Sequence, residues 1–205
     1  MSTPVPTHPS PAPESDCRRR LIEAARQEFC RDGFRGASVD RIAAAAGVAK
    51  QTFYNHFPTK EALFEETIRL GVRDIVVELD DAPGDVHDRL IAFSLALRKK
   101  LLSPEGLEWY RTAIADLSRL PELARIVWRQ GPLETVSRLA DFLASAMDRG
   151  ELRRGDPMFA AEMLNGMLIN LDRTRGLLAG DLNPDADPEK VERIVACFLR
   201  AYQPQ

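Results

Sequence analysis

The sequence predicts an all-α protein, with a head of three short helices joined to a larger helical body, about nine helices in all. Three observations carry that reading. Apolar residues recur at helical spacing along most of the chain. Val, Ile and Thr never alternate with polar residues for long enough to suggest a sheet. Candidate helix ends carry Gly, Pro and capping residues, among them Ser38, Thr59 and Asp156.

The elements follow in order. Residues 1–15, MSTPVPTHPSPAPES, hold five prolines and no apolar run, so they read as a disordered arm and not as a signal peptide. A first helix starts after Ser15 or Asp16, with Ile22, Ala25 and Phe29 at helical spacing, and Gly33 stops it. Ser38 caps a second helix that carries Val39, Ile42, Ala43 and Ala46 on one side, and Gly47 breaks it. A third, short helix covers about 49–57. Pro58-Thr59 then opens a long fourth helix, with Ala62, Leu63, Thr67, Leu70 and Val77 as its expected apolar positions.

In the body, segments of about 85–102 and 104–119 come next. Pro121 begins a longer helix that Gly131-Pro132 should kink or split. Asp156-Pro157 starts a helix reaching about Ala179, residues 181–188 form a Pro/Asp loop, and a last helix covers about 189–202. The domain reading is therefore an arm at 1–15, a head at 16–62 with the fourth helix linking from about 60, and a body at 63–205.

Composition excludes several functions. At 205 residues and 44% apolar content, the chain can bury a core. Three cysteines, at 17, 30 and 197, match no zinc or disulfide spacing and read as reduced thiols of a cytoplasmic protein. No apolar stretch approaches the roughly 18 residues of a membrane span. No Ser or Cys nucleophile has a base at motif spacing and no Gly-rich phosphate loop occurs, so neither an enzyme, a cofactor nor a metal is indicated. Net charge is −3, so only a local argument for nucleic acid could hold. Residues 17–60 supply one, with nine Lys/Arg against four Asp/Glu.

That basic head contains GVAKQTFYNHFPTK, residues 47–60. On two helices joined at Gly47, Val48, Phe53 and Phe57 face inward, while Lys50, Gln51, Thr52, Tyr54, Asn55 and His56 point outward or sideways. This is the arrangement of a helix-turn-helix over Ser38 to Phe57, whose second helix offers donors and acceptors to the major groove of DNA. The phenyl rings read as core, and a lone His56 does not make a metal site. Arg18-Arg19-Arg20 reads either as a solvated run or as a phosphate or minor-groove contact.

The run SVDRIAAAAGVAKQTFYNHFPTKEALF resembles the DNA-binding signature of the TetR/AcrR family of transcriptional regulators. Phe29, Gly33 and Phe34, the Ala-Gly-Val turn, the Tyr54 and Phe57 pair, and Lys60-Glu61-Ala62-Leu63 carry the likeness over about residues 16–70. The family pattern often has Gly or Ala where Gln51 stands, so Gln51 is a candidate for base discrimination. The resemblance implies a homodimeric repressor of a palindromic double-stranded DNA operator. It implies that Ser38, Thr52, Tyr54, His56 and Lys60 contact the phosphate backbone. It also implies that Gln51 and Asn55 read bases, with Lys50 sharing both roles.

The later chain, from Pro121-Glu122-Leu123 through Gly131-Pro132 to Arg149-Gly150-Glu151-Leu152, is similar to AefR-like members of that family, which implies a small-molecule effector, apolar or aromatic. Candidate pocket residues are Phe93, Trp109, Tyr110, Trp128, Met163 and Met167. Phe159, Met163, Leu164, Met167, Leu168 and Leu171 make the helix from Pro157 apolar almost all round. The last helix has a stripe of Val191, Ile194, Val195, Phe198, Leu199 and Tyr202. Pattern alone leaves both stripes free to serve their own core or a partner; the resemblance implies a dimer through these last two helices.

Overall fold

The computed structural model describes residues 13–81, 83–180 and 187–204. Ten α-helices succeed one another in it, with no strand among the described residues. They are α1 (Pro13–Gly36), α2 (Val39–Ala45), α3 (Lys50–His56), α4 (Lys60–Asp81) and α5 (Val86–Leu102), followed by α6 (Pro104–Leu117), α7 (Pro121–Trp128), α8 (Glu134–Asp148), α9 (Pro157–Leu178) and α10 (Pro188–Ala201). A π turn at Arg129–Leu133 joins α7 to α8 and contains Pro132. Proline has no N–H to give, so the ladder bulges there instead of continuing. Counted as one bent rod, α7 and α8 bring the total to the nine expected.

Local chemistry sets most helix ends. Gly33, expected to stop α1, adopts φ 70 and kinks it before Phe34, and the last turn runs on to Gly36. Thr59 Oγ1 accepts the Ala62 N–H at 3.1 Å, and Ser103 Oγ accepts that of Gly106 at 3.0 Å. Asp156 accepts from Met158 and Phe159, one residue before Pro157. α1 begins at Pro13, so three residues assigned to the arm are helical. The rest of the arm, residues 1–12, and loop positions 181–186 lie outside the described residues.

Two apolar cores result. The head core gathers Leu21, Ala25 and Phe29 of α1, Ile42 and Ala43 of α2, Phe53 of α3, and Leu63, Phe64 and Ile68 of α4, and α7 adds Leu123 and Val127. The body core gathers Val72, Ile75 and Leu79 of α4 with Leu90, Phe93 and Leu97 of α5, together with residues of α8, α9 and α10. α4 therefore serves both cores. Its buried face is Leu63, Phe64, Ile68, Val72, Ile75, Val76 and Leu79, whereas Val77, expected on that face, is exposed. A helix with different partners along its two halves does not keep one stripe.

The last two helices differ from each other. Val191, Val195, Phe198 and Tyr202 pack into the body core, so the α10 stripe is used within its own subunit. On α9, Leu164 and Leu168 turn inward, while Phe159, Met167, Leu171 and Leu178 face outward, Leu171 at 70% and Leu178 at 84% exposure.

Candidate nucleic-acid interface

The turn between α2 and α3 is tight because Gly47 takes φ 67, where a side chain would be strained. The Gly47 N–H donates to Ala44 and the Val48 N–H to Ala43, at 3.1 and 3.0 Å. Behind α3, the rings of Phe53 and Phe57 stand 6.3 Å apart at their centroids, and both are buried. Fully burying such a ring is worth roughly 1.5–3 kcal/mol. It holds α3 in place without using any of its polar side chains.

The opposite face of α3 is polar and open. Lys50, Gln51, Tyr54 and Asn55 are exposed, with Thr52 and His56 half-buried beside them. Gln51 Nε2 donates to Asn55 Oδ1 at 3.3 Å, so the two amides lie side by side one turn apart. Each keeps further donors or acceptors free. Tyr54 is edge-on to Phe53 at 5.2 Å, which sets its direction. Lys50 pairs with Asp40 of α2 at 2.9 Å, and the hydrogen bond from that carboxylate raises the pKa of its ammonium.

Ser38 occupies the N-cap position of α2 without making a side-chain capping bond. Lys60 differs. Its ammonium donates to the carbonyls of Phe34 and Ala37, at 2.8 and 3.0 Å, and lies over the Phe34 ring. Burial pushes its pKa down. Lys60 therefore ties the start of α4 to the turn between α1 and α2, with one N–H left for another acceptor.

The basic run is largely engaged within the head. Arg18 reaches Glu66 at 2.6 Å and lies over Phe57, and Arg20 donates to the Ala46 carbonyl at 2.9 Å. Arg19, itself exposed, pairs with Asp16. Sequence reasoning missed Arg41, which binds Glu28, Asp32 and the Gly36 carbonyl and braces α2 against α1. Its only signal was a basic residue beside the buried Ile42.

The arrangement is a helix-turn-helix with an unobstructed polar face. Comparison with known proteins agrees with it. The profile described as bacterial regulatory proteins of the tetR family matches residues 21–67, and that of the AefR-like transcriptional repressor C-terminal domain matches residues 88–204. The chain belongs to the TetR family of transcriptional regulators.

Relatives of this TetR-family chain include the HTH-type transcriptional repressor AcnR of Corynebacterium glutamicum, 26% identical over 77% of this chain and 82% of AcnR. A transcriptional repressor of Streptomyces coelicolor is 35% identical, but the match spans 45% of this chain and half of that protein. Among solved structures, the Flavonoid-responsive Regulator FrrA is 31% identical, with a TM-score of 0.70 over 93% of this chain and 99% of FrrA. A TetR-family regulator from Mesorhizobium loti is 26% identical, with a TM-score of 0.76 over 94% of this chain and 99% of the other. These relatives are transcriptional regulators, so the regulatory reading replaces any enzymatic one.

The six candidate pocket residues of this TetR-family body do not surround one space. Phe93 is fully buried in the body core, and Met163 is partly buried against it. Trp109 packs on the head core and lines a gap of about 10 Å³ with Phe29, Phe34 and Phe64. Tyr110 lies 4.3 Å beneath the Arg173 guanidinium. Trp128 is 58% exposed, and Met167 lies on the outward face of α9. Among the described residues, Asp85, His87 and Asp88 could bring metal-ligand atoms within 4.8 Å of one another. Asp85, however, caps α5, and His87 bonds Glu192.

Proposed function

We propose that this regulator is a repressor that binds a palindromic operator as a homodimer and is released by a small molecule. One observation carries the reading: the polar side chains of α3 face water while Phe53 and Phe57 hold the helix from behind. Gln51 and Asn55 read base edges, and Lys50 shares its charge between bases and phosphate. Ser38, Thr52, Tyr54, His56 and the free N–H of Lys60 fix the register on the backbone. The partner is DNA, so the protein acts in the cytoplasm; no helix among the described residues is long and apolar enough to cross a membrane.

The outward face of α9 supports the dimer. Phe159, Met167, Leu171 and Leu178 form an apolar strip that a monomer would leave in water. A second copy packed on this strip and on the outer side of α10 would set the two α3 helices about 34–36 Å apart, or a multiple of that, on one face of B-DNA. The effector is apolar or aromatic, a reading that the flavonoid response named for FrrA supports. It acts by binding one spacing of the heads better than the other, through a swing of α4.

Fluorescence anisotropy with the DNA upstream of the protein's own gene tests this. Affinity should fall steeply as salt rises, because phosphate contacts release counterions. Tyr54→Ala should lose that binding while the dimer, measured by sedimentation, stays intact. Binding to every DNA alike, or normal binding by Tyr54→Ala, would overturn the assignment.

A further inference from the structure

Arg98 of α5 lies inside the body with 1% of its surface exposed. A buried guanidinium needs partners for its N–H groups. Nη1 has two, the Leu168 carbonyl at 2.6 Å and Asp172 Oδ2 at 2.8 Å. Among the described residues, Nε and Nη2 have none. Asp187 Oδ2 stands 3.8 Å from Nη2, beyond hydrogen-bond reach. One turn earlier on the same helix, Ser94 is fully buried and its hydroxyl is also unpartnered.

The two unpartnered nitrogens of Arg98 are not a random pair. Nε–H and Nη2–H share one edge of the guanidinium plane and point the same way, and that edge matches the two oxygens of a carboxylate. Charge agrees with this. Asp172 is met by Arg98, by Lys190 at 2.6 Å and by Arg175 at 3.3 Å. Burial opposes its ionisation, but hydrogen bonds from Lys190 and Arg98 hold its carboxyl below the usual range. Among the described residues, three cations thus face two carboxylates, Asp172 and Asp187, an excess of one positive charge. The side chains of Asp187 and Lys190 are 39% and 34% exposed, so the cluster reaches the surface where α10 begins. The core around it is apolar, with Phe93, Leu97, Leu168 and Val191.

We propose that Arg98 and Ser94 form the head-group site for a small molecule bearing a carboxylate on an apolar remainder, and that this acid is the effector. The carboxylate takes the unpartnered edge of Arg98 in a bidentate grip and accepts from the Ser94 hydroxyl, entering between Asp187 and Lys190. The inference rests on reading the body as effector-responsive and narrows the effector from an apolar or aromatic compound to an amphiphilic acid.

Isothermal titration of the full chain without DNA compares benzoate and decanoate with benzyl alcohol and decanol. At least one acid should bind about tenfold or more tightly than its alcohol, as expected for hydrogen bonds to a charged group. Arg98→Lys keeps the charge but loses the fork, and should weaken that acid by about tenfold or more. Ser94→Ala should weaken it severalfold; because it removes only an unpartnered hydroxyl, it keeps the fold and provides the test if Arg98→Lys does not fold. The acid that binds should also lower operator affinity of the wild type.

No binding by either acid, equal binding by the alcohols, or unchanged acid binding in the folded variants would overturn the site, and would be the result if water alone occupies the edge. An acid that binds without altering operator affinity would overturn its role as effector. A wild-type chain that binds acid but no operator would contradict the regulatory reading and leave the carboxylate site standing.

Discussion

The carboxylate of Asp116, on α6, accepts the backbone N–H of Arg35 at 3.1 Å and so joins α6 to the last turn of α1, beyond its kink at Gly33. Two nearby contacts follow the same line. Thr112 Oγ1 donates to the Cys30 carbonyl at 3.5 Å, and Arg26 pairs with Glu105 at 3.2 Å. Movement of α6 would therefore reach the head through α1 as well as through α4.

Gly33 makes that joint tight. It sits at φ 70, and a Cβ there would run into the Asp116 carboxylate and come within 2.8 Å of Thr112 Cγ2. Gly33→Ala should destabilise the protein by about 1–3 kcal/mol, the usual range for a residue held in such backbone strain. Asp116→Ala should cost about 1 kcal/mol for the lost hydrogen bond. The double variant should lose less than the sum of the two, because removing Asp116 also removes the collision. Urea denaturation of the three variants measures the difference, and strict additivity would contradict the contact.

His87 predicts a pH dependence. Burial disfavours its charged ring, but hydrogen bonds to Asp88 and Glu192 outweigh this, and its pKa lies above the ordinary value. A raised histidine pKa gives a contribution that is fully present below the unfolded value, about 6.5. That contribution is lost as pH rises through the higher folded value. The gap in melting temperature between wild type and His87→Gln should therefore narrow as pH rises above about 6.5. A gap that widens over that range would contradict the contact between α5 and α10.

The head was legible in the sequence because each of its boundaries carries its own local chemistry. Gly33 and Gly47 need a left-handed backbone, Thr59 is a cap, and Phe53 and Phe57 are one turn apart. The body was less so. The α10 periodicity announces an apolar face but not what covers it, and the cover proves to be its own subunit. The aromatic residues at 93, 109, 110 and 128 were recognisable one by one, but whether rings converge depends on helix packing. Arg98 was missed because it opens an Arg-Lys-Lys run that reads as solvated surface. Its position four residues after Ser94, on the side of Phe93 and Leu97, was the available signal.

Leu171 tests the proposed dimer. At 70% exposure it can accept a charge in a monomer at little cost, typically within about 0.5 kcal/mol for a surface change. Leu171→Arg would instead bury a cation across a twofold axis, which costs several kcal/mol. Sedimentation should show a folded monomer for the variant and a dimer for the wild type. A dimer that survives the substitution would remove α9 from the interface.

The central claim is that the exposed face of α3 reads DNA sequence, and the most direct measurement is a ratio. Affinity for the upstream operator is divided by affinity for a scrambled duplex of the same length and salt, for the wild type and for Gln51→Ala with Asn55→Ala. Each lost base contact is worth about 1–3 kcal/mol of discrimination. The ratio should therefore fall by about tenfold or more in the folded variant, while scrambled-DNA binding, held by phosphate contacts, stays nearly the same. A ratio unchanged from wild type would contradict the account.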